Sequence, residues 1–107
     1  MSAKLYIKKP MPVEAMQFNY TAECWLELGH WMGEHMKTCG KERKPDAVGW
    51  LEIMGNPNED GERELTHVAY EGDYIVKGYD GLFYPMTQSE FNSKYYEYKY
   101  FDGKLNE

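Results

Sequence analysis

Glu71-Gly72-Asp73-Tyr74-Ile75-Val76-Lys77-Gly78-Tyr79-Asp80-Gly81-Leu82-Phe83-Tyr84-Pro85-Met86-Thr87-Gln88-Ser89-Glu90-Phe91 reads as turn, strand, turn, strand and helix start. Gly72 falls where a tight turn needs positive φ, and Asp73 can bond the turn backbone through its carboxylate. Tyr74 to Val76 carries the aromatic and β-branched residues that suit a pleated surface. Asp80-Gly81 is a two-residue hairpin signal, because both central positions of a type I′ turn need positive φ. Leu82 to Tyr84 is then expected to return antiparallel to Tyr74 to Val76. Pro85 lacks an N–H, so it ends the ladder on its side or marks an edge. Thr87-Gln88-Ser89-Glu90 has capping-box spacing, which predicts a short helix from Gln88 to Tyr95.

Working back from this hairpin, Glu64 to Tyr70 and Ala47 to Met54 read as strands. The Gly, Asn, Pro and acid-rich loop 55–63 joins them. A helix is expected from Ala22 to Lys37, with Thr21 as N-cap and Glu23 in the first turn. Trp25, Leu28, Met32 and Met36 recur at spacings of three and four. With Leu26 and Trp31 they make the expected core stripe. Gly29 and Gly33 lie within this helix, where each costs roughly 1 kcal/mol relative to alanine, so a close neighbour is expected against them. Val13 to Phe18 and Leu5 to Lys8 are strand candidates broken by Pro10 and Pro12. In the other direction, Tyr96 to Phe101 alternates tyrosine with charge like a half-buried strand. The expected fold is α+β: an antiparallel sheet of five or six short strands, one long N-terminal helix and one short C-terminal helix. A small half-open barrel is the alternative.

A chain of 107 residues has room for a single domain, 1–107. Its net charge of -6 argues against binding a phosphate backbone, so no nucleic-acid duplex is expected as partner. Cys24 and Cys39 are the only cysteines. Pairing them needs a folded-back loop that the sequence does not announce, so free thiols are expected. With no apolar run of membrane length, the expected setting is a reducing cytoplasm.

Motifs for chemistry are sparse. His30, Glu34 and His35 miss the zinc-peptidase pattern because the histidines are five apart. His35 and Cys39 have a four-residue ligand spacing if the helix continues, yet two ligands fall short of a zinc site. Asp73 and Asp80 sit beside glycines in turns, where their carboxylates have structural work. No metal, cofactor or catalytic residue is assigned, and the chain is read as a non-enzyme. The better signal is aromatic. Exposed tyrosines suit an interface or a stacking platform, and Tyr74, Tyr79, Phe83, Tyr84, Tyr98 and Tyr100 are the candidate binding residues. The competing reading packs them on the tryptophans of the first helix.

Lys8-Lys9-Pro10 with Pro12-Val13-Glu14-Ala15, then Gly72-Asp73-Tyr74-Ile75, Gly78, Gly81, Phe83-Tyr84-Pro85, Phe91 and Tyr95 resemble a group of small proteins from tailed phages and prophages. That group has a KKPV-VEA opening and a PGD(W/Y)I…G…GEFYP…F…Y close. The likeness covers about a third of the chain. It departs at Glu71 for proline, Leu82 for glutamate and Met86 for a frequent cysteine. The resemblance implies a phage accessory product in the host cytoplasm. Together with the aromatic signal it suggests a binding protein that counters host defence. It would do so by gripping an immune protein or by sequestering a nucleotide-derived signal as a homo-oligomer. The alternative is a virion or assembly accessory without ligand.

Overall fold

A computed structural model describes residues 3–6 and 11–95. The elements run β1 (Glu14–Gln17), α1 (Ala22–Met32), a 3-10 turn (Gly33–His35), β2 (Met36–Gly40), β3 (Trp50–Met54), β4 (Leu65–Tyr70), β5 (Tyr74–Lys77), β6 (Phe83–Met86) and α2 (Gln88–Lys94). The fold is α+β, but its six strands form two antiparallel sheets rather than one, ordered β1-β5-β6 and β2-β3-β4. Strands β4 and β6 run side by side without a ladder. There His67 meets Tyr84 edge-on, with ring centroids 5.4 Å apart.

The central hairpin pairs Tyr74 with Met86 and Lys77 with Phe83. Its turn is one residue wider than the expected two. Gly78 N–H donates to the Leu82 carbonyl and Gly81 N–H to the Gly78 carbonyl, so Tyr79-Asp80-Gly81 is a three-residue loop. Only Gly81 needs positive φ, at 81°, as in hairpins that close through a bulged glycine. Pro85 lies opposite Ile75 inside β6, which is an edge strand, so the ladder continues past it to Met86. The capping box forms: Thr87 accepts from Glu90 N–H, and the Glu90 carboxylate returns to the Thr87 backbone.

The first helix is shorter than its sequence pattern. It stops at Met32 because Gly33 takes φ 59° as C-cap and donates its N–H to Gly29. Residues expected in the last turns, Met36 and Lys37, instead open β2, where Met36 sits opposite Ile53. The core stripe is Leu28 and Met32, with Cys24 and Trp31 packed beside them, against Phe18, Leu51, Ile53, Ala69, Ile75 and Phe83. Trp25 and Leu26, expected in that stripe, face outward. Gly29 has no close neighbour, since an added Cβ would meet only Met36 Sδ at 3.8 Å. Leu5 and Tyr6 take no regular secondary structure, and the rest of that strand candidate lies outside the described residues. So does the strand candidate from Tyr96 to Phe101.

The two helix glycines therefore respond in opposite directions. Gly29→Ala should stabilise the fold by about 0.5–1 kcal/mol by removing backbone freedom from the unfolded chain. Gly33→Ala places a side chain at positive φ and should destabilise by about 1 kcal/mol or more. Urea unfolding midpoints of the two variants against the parent check both signs.

Candidate functional site

The hairpin aromatics fall into separate environments. Tyr74 stacks on Phe91 with centroids 3.9 Å apart and planes 4° off parallel, and Phe91 stacks on Tyr95. This clamp seats α2 on the first sheet. Phe83 is buried in the core, edge-on to Trp31 at 5.0 Å. Tyr84 donates its hydroxyl to the Asp80 carboxylate. The bond lowers the Asp80 pKa, with help from Leu82 N–H, and raises that of Tyr84. Tyr79 is exposed, and its hydroxyl donates to the Met11 carbonyl at 2.9 Å. Tyr98 and Tyr100 lie outside the described residues. Among the described residues these side chains are not gathered into one surface: Phe83 is core, Tyr74 a clamp and Tyr84 a turn brace.

A different aromatic pair is on offer. Where β1 ends and α1 begins, Phe18, Asn19, Tyr20, Thr21, Ala22, Trp25 and Cys39 line an open, mainly apolar groove of about 350 Å³. Trp25 is 49% and Tyr20 41% exposed, while Phe18 is buried. Local chemistry sets this shape. Thr21 accepts from Cys24 N–H at 3.1 Å and starts the helix. The Cys24 thiol donates to the Gln17 carbonyl and accepts from Asn19 N–H, holding the strand-to-helix link against the helix. Gly33 then turns the chain back so that β2 brings Cys39 to the groove.

Tyr20 is held from the far side. Gly49 approaches so closely that an added Cβ would lie 2.8 Å from the Tyr20 ring and 2.7 Å from Glu71 Oε1. Lys41 Nζ lies 5.4 Å from the Tyr20 ring centroid and 3.0 Å from Glu71 Oε1. That carboxylate also accepts Gly49 N–H at 2.7 Å. Lys41 and then Gly49 hold the Glu71 pKa below the usual carboxylate range. Exposed Glu23 follows Ala22 of the lining, and exposed Val48 and Tyr70 adjoin Gly49 and Glu71 in sequence.

Both cysteines are free. Burial, and secondarily the neighbouring Cys24, pushes the Cys39 thiol pKa up, which keeps the groove sulfur protonated and weakly nucleophilic. His35 does not share a helical face with Cys39, because the helix has ended. Its ring nitrogens instead meet the Met32 carbonyl and Asn56 Oδ1, each at 3.3 Å. Among the described residues no group of three or more His, Cys, Asp or Glu is placed to hold a metal ion. No helix among them is long and apolar enough to cross a membrane.

Sequence periodicity missed the groove because it placed Trp25 in the core. The spacing Cys24, Leu28, Trp31 leaves Leu26 outside, but Trp25 lies about 20° around the helix from buried Met32, so spacing alone does not separate the two. Comparisons with protein-family models, with curated proteins and with solved structures find no match to this chain.

The Glu71 clamp has a pH signature. Its folded pKa is depressed, so its stabilisation is present above the unfolded glutamate value of about 4.3 and is lost as pH falls through the lower folded value. Glu71→Gln should lower stability at neutral pH and leave it nearly unchanged below that folded value. Urea midpoints of both proteins, measured from neutral to acid pH, should converge on the acid side.

Proposed function

We propose that this chain is a non-enzymatic binding protein of tailed-phage type that counters host defence by docking on a host protein through the Tyr20–Trp25 groove. The observation that carries the reading is the exposure of two aromatic side chains, Trp25 and the braced Tyr20, around an open apolar groove. Tryptophan and tyrosine supply contact area at low entropic cost, and such residues dominate binding energy at protein interfaces. Exposed Leu26 next to Trp25 extends the apolar surface. Glu23 follows the lining residue Ala22 in sequence, the chain carries a net charge of -6, and Lys41 at the Tyr20 side is paired with Glu71.

This combination favours a protein partner with an apolar anchor and a basic surround. Sequestration of a nucleotide-derived signal is supported less well, since its phosphates would be repelled by a chain of net charge -6. The phage setting rests on the sequence resemblance. The residues of that resemblance make the hairpin and its α2 clamp, which is scaffolding common to a group; the groove is built from residues outside it.

Native mass spectrometry of the protein recovered from phage-infected cells tests the reading. The expected result is a discrete complex with a host protein, retained by Tyr79→Ala and lost by Trp25→Ser. A complex that survives Trp25→Ser would overturn the groove as the docking site. A small retained adduct in place of a protein would return the reading to sequestration.

A further inference from the structure

We infer that the groove of one molecule is occupied by the Lys4–Tyr6 segment of a second copy, so that two chains cap each other's docking sites reciprocally. The inference rests on the groove being the binding site and adds how that site is regulated. Leu5 is fully exposed and Tyr6 is 89% exposed. Two adjacent large apolar side chains without cover are costly in water, and the groove of about 350 Å³ is of a size to take either one.

Charge favours the same pairing. Lys4 precedes Leu5, and Lys8 and Lys9 follow in sequence with no acid between them. The chain as a whole has net charge -6, so the rest of it is more acidic still, and Glu23 follows the groove residue Ala22 in sequence. The segment has the chemistry proposed for the partner: an apolar anchor in a basic surround.

Geometry points to a second molecule rather than the same one. Met11 is held at the hairpin end of the first sheet by Tyr79. The groove lies at the opposite end, where Phe18 N–H donates to the Asp73 carbonyl and Phe18 accepts from Gly72 N–H. From Gly78 back to Asp73 the strand covers about 17 Å at roughly 3.3 Å per residue. The five residue steps from Tyr6 to Met11 reach at most about 18 Å when fully extended, and the six from Leu5 about 22 Å. Most of that length is used up along the sheet, which leaves too little for the chain to turn around its end and seat both anchors in the groove. A reciprocal exchange between two copies has no such limit and closes with two-fold symmetry.

Sedimentation of the full chain across micromolar to sub-millimolar concentrations tests the exchange. The parent should pass from one copy to two as concentration rises, with weaker association at higher salt. Leu5→Ser/Tyr6→Ser, which removes the anchors, and Trp25→Ser, which opens the groove, should each weaken self-association at least about tenfold. A mixture of these two variants keeps one intact segment and one intact groove, and should recover a mixed dimer that neither forms alone. A parent that stays monomeric, a dimer indifferent to both variants, a mixture that fails to associate, or a ladder of growing oligomers would overturn the exchange. The docking reading is tested separately: a monomeric parent that still loses its host complex on Trp25→Ser refutes the exchange and leaves the docking site standing.

Discussion

The structure depends on the four-residue turn Tyr70-Glu71-Gly72-Asp73. Asp73 N–H donates to the Tyr70 carbonyl and the Asp73 carboxylate takes Tyr70 N–H, both at 2.9 Å, while Gly72 supplies φ 93°. This turn carries the chain from β4 in one sheet to β5 in the other. Its outer atoms are used as well. Gly72 N–H and the Asp73 carbonyl pair with Phe18, and Glu71 pairs backbone to backbone and carboxylate to N–H with Gly49. The same four residues thus join the two sheets, end β1 with Phe18 in the core, and brace Tyr20 through Glu71. A side chain at Gly72 would strain the turn and loosen the core and the groove together.

Short-range rules were legible where the chain makes its own local bonds. The Gly72 turn, the antiparallel hairpin and the Thr87–Glu90 capping box follow from residue types at fixed offsets. The Asp80-Gly81 signal located the hairpin but not its loop length, because the Asp80 carboxylate accepts Leu82 N–H and the loop opens by one residue. The helix stop was hidden. Gly33 looks like a costly residue inside a helix only if Met36 belongs to the helical stripe, and spacing alone cannot tell a fourth helical contact from the first residue of a strand. Its pairing with β3 decides the matter, and that is a long-range fact. Trp25 shares the helical face of buried Leu28 and Met32, so spacing assigns it to the core, and its exposure depends on what stands opposite it, which is also a long-range fact.

The candidate site shows the same division. Tyrosines of the hairpin attracted attention because they are dense in sequence, yet most meet partners contributed by distant elements, such as Phe91 for Tyr74 and His67 for Tyr84. Their exposure was a question of packing, which composition does not answer. Tyr20 and Trp25 flank a helix start, where the backbone must leave the sheet and cannot fully cover its own side chains. The groove follows from that change of direction, with Cys24, Gly33 and Gly49 setting how sharply the chain turns and how closely its neighbours approach.

A groove of this kind sets a conflict between solubility and readiness to bind. Two half-exposed aromatic rings beside exposed Leu26 form an apolar surface that would associate indiscriminately if left open. The chain's net charge of -6 discourages contacts with an acidic proteome but also weakens any partner that lacks positive charge. A weak cap resolves this conflict only if it costs less to remove than the partner's contact provides. A short segment with two apolar anchors and a lysine, as proposed, would meet that condition, because it would order few residues and leave the rest of the fold untouched. Its occupancy also depends on the protein's own concentration. Under the proposed exchange, the chains would protect each other at high concentration, and dilution would open the same grooves to a partner.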